Sequence, residues 1–144
     1  MELKDTSTDN LIFENPPLEG YYKFTMLTSS RQAVDEWIDH IDKIWARHTT
    51  TGTHMGILID SSRVPDQPLR YAFRRGIELS RKHPNIPRGR TAFIMNKSGL
   101  IMLLDSFLRI LRLNWEYRYF DMDEQDKAIA WAQGLLDTTE ETVG

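Results

Sequence analysis

Met55-Gly56-Ile57-Leu58-Ile59 constrains the fold more than any other stretch of the chain. Five consecutive residues without a polar side chain leave no face for water. A strand exposed on one side alternates apolar with polar; a strand apolar at every position is buried on both faces, as in the middle of a parallel sheet. Thr91-Ala92-Phe93-Ile94-Met95, apolar after its first residue, reads as the next buried strand. Parallel neighbours are joined by crossovers long enough to hold a helix.

The intervening residues supply those helices. Ser29 with Gln32 has the form of a capping box. Val34, Trp37, Ile38, Ile41, Ile44, Trp45 and His48 then recur at helical spacing until Thr49-Thr50-Thr51-Gly52 stops them. A loop from Asp60 to Pro68 leads to a helix from Leu69 to His83, ended by Pro84, with Leu69, Ala72, Phe73, Gly76, Ile77 and Ser80 as its buried stripe. Asn96-Lys97-Ser98-Gly99 turns into a helix from Leu100 to Leu113, followed by a strand from Trp115 to Phe120. Asp123 caps a last helix that buries Ala128, Ile129, Trp131, Ala132, Leu135 and Leu136. Ahead of all this, Leu11-Ile12-Phe13 and Tyr21 to Thr28 flank a Pro- and Gly-containing turn and form a hairpin. The expected fold is α/β, with a mixed, mostly parallel sheet of about five strands, four helices and an N-terminal hairpin, joined by right-handed crossovers. It forms a single domain over 11–137, between a flexible tail at 1–10 and an acidic tail at 138–144.

Composition narrows the function. The 144 residues include four Trp, five Tyr and six Phe, enough for one real core. There is no Cys, which excludes disulfides, thiolate metal sites and a cysteine nucleophile. The start, MELKDTSTDN, lacks the basic and apolar segments of a signal peptide. No run approaches the roughly 18 apolar residues of a membrane helix. A cytoplasmic protein without stable membrane insertion is expected. Charge is uneven: nine basic residues lie between Arg63 and Lys97 against Asp66 and Glu78, while seven acids and one Lys follow from Asp121 onward. Nucleic-acid binding needs basic residues on one face with stacking aromatics. Only Tyr71 and Phe73 interleave, and Phe73 reads as core, so no nucleic-acid partner is expected.

Three stretches carry a family resemblance: Gly56-Ile57-Leu58-Ile59-Asp60, Thr91-Ala92-Phe93-Ile94-Met95, and Tyr119-Phe120-Asp121 followed by Ala128-Ile129-Ala130-Trp131. With this order of elements over 11–137, the chain resembles the STAS domain of bacterial anti-sigma-factor antagonists, and above all its uncharacterised SpoIIAA-like relatives. The resemblance implies a regulatory module that works by binding. The family's switch is a phosphorylatable Ser in an Asp-Ser-Ser-Gly-Leu-like turn. Here that place is Asp66-Gln67-Pro68-Leu69, with neither Ser nor Gly. Asp60-Ser61-Ser62 comes several residues early, and Asn96-Lys97-Ser98-Gly99-Leu100 comes one strand–helix unit late.

Loops at the C-terminal ends of parallel strands gather on one edge, where ligands usually bind. Ser61, Ser62, Arg63, Lys97 and Ser98 are the candidates there for an anion or nucleotide, beside helix N-termini. Neither G-x-G-x-x-G nor a Walker A pattern occurs. His40, His48, His54 and His83 are scattered without metal-ligand spacing, and no metal or cofactor is expected. Ser61 with Asp60 and His54 is a conceivable hydrolytic trio, but no G-x-S-x-G elbow accompanies it. The helix Leu100–Leu113 confines Asp105, Arg109 and Arg112 to one stripe and is apolar elsewhere, more than a helix needs to cover a sheet. Leu100, Leu104, Phe107, Leu108 and Leu111 form its candidate interaction surface, covered by neighbouring helices, a homodimer partner or an apolar ligand. The favoured function is a non-enzymatic STAS-like regulatory or protein-interaction domain with an unknown protein partner. The alternatives are a carrier of a small apolar or lipid-like ligand, and an anion- or nucleotide-binding protein that uses the strand-end loops.

Overall fold

The computed structural model describes residues 4–15, 20–64, 68–85, 89–95 and 116–134. In chain order these form β1 (Thr6–Ser7), β2 (Leu11–Glu14), β3 (Tyr22–Met26), α1 (Arg31–Thr51), β4 (Met55–Asp60), α2 (Leu69–Lys82), β5 (Gly89–Ile94), β6 (Glu116–Phe120) and α3 (Gln125–Ala132). The six strands make one sheet in sequence order, β1-β2-β3-β4-β5-β6. β1, β2 and β3 pair antiparallel, and β3 to β6 run parallel. The mixed α/β class, the N-terminal hairpin and the mostly parallel sheet agree with the sequence reading. The strand count is six rather than about five, and three helices are described rather than four. The expected helix from Leu100 to Leu113 and the expected acidic tail lie outside the described residues.

The extra strand comes from the stretch read as a flexible tail. Thr6 and Ser7 lie opposite Phe13 and Ile12. Two polar residues carry no apolar alternation, so only backbone pairing makes them a strand.

β4 is buried at every position from Met55 to Ile59, as its unbroken apolar run requires. Its side chains divide between two cores. Ile57 and Ile59 join Phe13, Phe24, Val34, Ile41, Ile44 and Trp45 beneath α1, with Leu79 of α2. Leu58 joins Ala92, Ile94, Phe120, Ala128, Trp131 and Ala132 beneath α3. Period-two alternation therefore sends neighbouring residues of one strand to opposite helix layers.

Several boundaries move from their expected places. Ser30, not Ser29, caps α1: its side-chain oxygen accepts from the Ala33 amide at 3.1 Å, with Ser30 extended at φ −77°, ψ 157°. The third helical position is then Ala33, so the reciprocal arm of the capping box is missing. Gly52 closes α1 at φ 71°, its amide bonded to the His48 carbonyl. Asp123 does not cap α3; Glu124 holds that position, and its carboxylate accepts from the Asp121 amide at 3.0 Å. Among the described side chains of α2, Leu79 is the buried one, while Ala72, Gly76, Ile77 and Ser80 of the expected stripe are half-buried; the side chains of Leu69 and Phe73 lie outside the description. Among the described residues, no helix is long and apolar enough to cross a membrane.

Candidate binding surface

The parallel arrangement gathers the ends of β3, β4, β5 and β6 and the starts of α1 and α2 along one edge. Much of the polar chemistry there is committed to structure. Asn10 is the hub at the hairpin side. Its side-chain nitrogen donates to Glu36 Oε2 at 2.5 Å, its side-chain oxygen accepts from Thr28 at 2.9 Å and from Ser30 at 3.2 Å, and its backbone carbonyl accepts from the Leu27 amide. Thr8 donates to the other oxygen of Glu36 at 2.5 Å. Residues before β2 are thus clipped to the end of β3 and to α1.

After β4 the chain turns tightly. The Ser61 amide donates to the Ile94 carbonyl, the Val64 amide to the Ser61 carbonyl, and the Ser62 amide to Asp60 Oδ1 at 2.9 Å. An Asx turn of this kind puts a carboxylate on the amide that an anion at Ser62 would use. Ser61 is buried, Ser62 half-buried and Arg63 exposed. Lys97 and Ser98, the other half of the expected anion site, lie outside the described residues. So do Leu100, Leu104, Phe107, Leu108 and Leu111.

The conceivable Ser61–Asp60–His54 trio does not assemble. His54 precedes β4 and Ser61 follows it, so the length of that extended strand, roughly 20 Å, separates them. The other histidines have structural partners. The His48 Nδ1 lies 3.1 Å from the Thr53 carbonyl and 2.9 Å from the Thr53 hydroxyl. Its Nε2 is hydrogen-bonded to the buried Tyr22 hydroxyl at 2.8 Å. Burial holds the His48 pKa below its ordinary value and pushes that of Tyr22 up. His40 stacks on Phe13, with ring centroids 4.3 Å apart, and burial lowers its pKa also. His83 meets Asp42 at 2.5 Å beside Lys82 at 2.6 Å. Burial acts to raise the Asp42 pKa, but the hydrogen bonds from Lys82 and His83 outweigh it, and the net shift is downward.

Two charged features remain. Beyond β6, the carboxylates of Asp121, Asp123 and Glu124 lie within 4.8 Å of one another, next to Met122, the exposed large apolar residue among those described. Glu124 is already engaged by the Asp121 amide and by Lys127 at 3.8 Å.

The second feature lies where α1 and α2 begin. Tyr71 donates its hydroxyl to Asp35 at 2.5 Å, which raises its pKa, and Arg75 meets the same carboxylate oxygen at 3.1 Å. Arg75 also pairs with Glu78 at 2.8 Å. Over the Tyr71 ring stand two guanidinium groups, Arg31 at 5.1 Å and Arg74 at 5.3 Å. Arg70 stands one helical turn before Arg74. Arg31, Arg70 and Arg74 are exposed, and none forms an ion pair with a described residue. Neither helix has an acidic residue in its first turn, and α2 begins at Pro68 without a side-chain cap.

Sequence reasoning missed this cluster. Arg31 lies far outside the basic run from Arg63 to Lys97, and only the packing of α1 on α2 brings it to Tyr71. The i, i+4 spacing of Arg70 and Arg74 was the one available signal. No protein-family model matches the chain, and no curated protein or solved structure matches it either.

Proposed function

We propose that the chain is a STAS-like domain of the SpoIIAA-like branch that acts by binding, as a regulatory or protein-interaction module without catalysis of its own. One observation carries the reading. At the edge where the strands end, Asn10, Glu36, Asp60 and the Ser62 amide are engaged in caps and turns, while the exposed arginines at the start of α1 and α2 have no acidic partner among the described residues. An edge of this kind is suited to holding a partner rather than to turning over a substrate. An N-terminal hairpin followed by parallel strands in chain order, with helices on both faces, further supports the STAS-like assignment.

Native mass spectrometry of the purified protein tests the proposal. The expected result is the bare 16.9 kDa chain, as one copy or two, without added small-molecule mass. Two copies that separate on Leu104→Glu or Leu108→Glu would identify the 100–113 stretch as a homodimer seam. A copurifying apolar molecule would overturn the binding-module reading in favour of a carrier. Thermal stabilisation by inorganic phosphate or nucleotides would overturn it in favour of the strand-end loops.

A further inference from the structure

We infer that the N-terminal ends of α1 and α2 form a docking surface for an acidic segment of a partner protein, gripped by Arg31, Arg70 and Arg74 around Tyr71. The inference rests on the binding-module reading and supplies the chemistry of the partner.

The arrangement runs against the stability of the isolated chain. A helix N-terminus carries positive dipole charge and favours acidic residues. Here two helix starts carry arginines instead, with no acid in either first turn. Arg70 and Arg74 add a like-charge i, i+4 pair, which is itself unfavourable. Asp35 forms no ion pair with Arg31, Arg70 or Arg74; its Oδ1 takes the Tyr71 hydroxyl and Arg75. Stacking on Tyr71 holds two of the guanidinium groups in place while their edges stay exposed. A planar guanidinium so held offers paired N–H donors that fit a carboxylate bidentately. Carboxylates brought by a partner would relieve the dipole and the arginine repulsion together.

The observations favour a protein partner over a nucleic acid. Arginines already stand over the Tyr71 ring where a base would stack. The chain as a whole is negative, at −3, which opposes a long polyanion more than a short acidic segment.

The test is fluorescence anisotropy with a fluorescein-labelled decaglutamate peptide at about 50 mM and about 150 mM salt, where screening differs. Wild type is expected to bind, and more weakly at the higher salt. The triple variant Arg31→Gln/Arg70→Gln/Arg74→Gln is expected to bind at least about tenfold more weakly. Arg81→Gln, exposed near the other end of α2, is expected to leave binding unchanged. Circular dichroism checks folding, and Arg70→Gln alone replaces the triple variant should that one unfold. No binding at the lower salt overturns the inference, as does an equal loss in Arg81→Gln. Tighter binding of a labelled thymidine decamer, lost in the triple variant, reassigns the surface to nucleic acid. Self-association of the chain, abolished by the same arginine changes, reassigns it to a second copy. Failure here with a bare native mass removes the acidic partner and leaves the binding-module reading standing.

Discussion

Adding one methyl group at Gly56 and one at Gly76 should move stability in opposite directions. A Cβ at Gly56 would stand 2.3 Å from the Ala132 carbonyl oxygen, 3.1 Å from its carbon and 3.2 Å from the Gly20 carbonyl oxygen. Ordinary contact begins near 3.4 Å, so the gap is short by about 1 Å. The obstructing atoms are backbone and cannot swing aside. The end of α3 is held by the bond from the Gln133 amide to the Ile129 carbonyl and by Arg90 on the Trp131 carbonyl at 3.2 Å. To fit the methyl, α3 must lift from Leu58 and Ala92, and a gap of up to 1 Å forfeits about a quarter to a half of each dispersion contact. Overpacking of this kind costs about 2–3 kcal/mol. At Gly76, inside α2, a Cβ meets nothing within 4 Å. There the gain in helix propensity and the stiffer unfolded chain should stabilise by about 0.5–1 kcal/mol. Urea unfolding followed by tryptophan fluorescence and circular dichroism measures both, with unchanged slope as the control. A Gly56→Ala protein within about 0.5 kcal/mol of wild type would refute the close packing of α3 on β4. A destabilised Gly76→Ala protein would refute the open surroundings of that residue.

Tyr22→Phe should cost about 1–3 kcal/mol in the same assay, because it leaves the buried His48 Nε2 without its hydrogen-bond partner; a neutral result would mean the bond contributes nothing. Asn10→Ala should cost about 1–2 kcal/mol through the lost bonds to Glu36, Thr28 and Ser30, and proteolysis should then cut first within residues 4–10. Acidification should destabilise. His40 and His48 have pKa values below the ordinary 6.5 when folded, so the unfolded chain takes up protons first; their contribution is intact above about 6.5 and declines as pH falls below it. Asp42, also lowered, contributes above its ordinary 3.8, and that is lost as pH falls through its folded value. A urea midpoint that rises between pH 7 and 5.5 would contradict this.

What could be read from the sequence was what depends on nearest neighbours along the chain. The burial of β4 follows from five apolar residues in a row, and the buried face of α1 from residues recurring every three or four positions. The α1 cap was displaced by one residue because its placement depends on Asn10, twenty positions earlier, which holds both Thr28 and Ser30. β1 was invisible because Thr6 and Ser7 owe their strand conformation to the backbone of β2. The expected α2 stripe omits Leu79, though it stands three residues after Gly76 on the same side. Its depth is set by packing against the α1 layer rather than by the sheet alone.

The charge pattern shows why a surface is harder to read than a core. Counted along the sequence, the run from Arg63 to Lys97 is strongly basic, yet Arg75 is matched by Asp35 and Glu78, Lys82 by Asp42, and Arg90 reaches the end of α3. Arg31, from a different helix, joins the remainder around Tyr71. One arginine and one lysine in the run are thereby paired with acids, and one arginine from outside it is gained. Apolar residues declare their burial because water rejects each of them separately, but a charge matters only by what remains after its neighbours are counted. Those neighbours lie about forty residues apart, Asp35 against Arg75 and Arg31 against Tyr71. The arginine cluster becomes legible only once α1 and α2 are packed side by side.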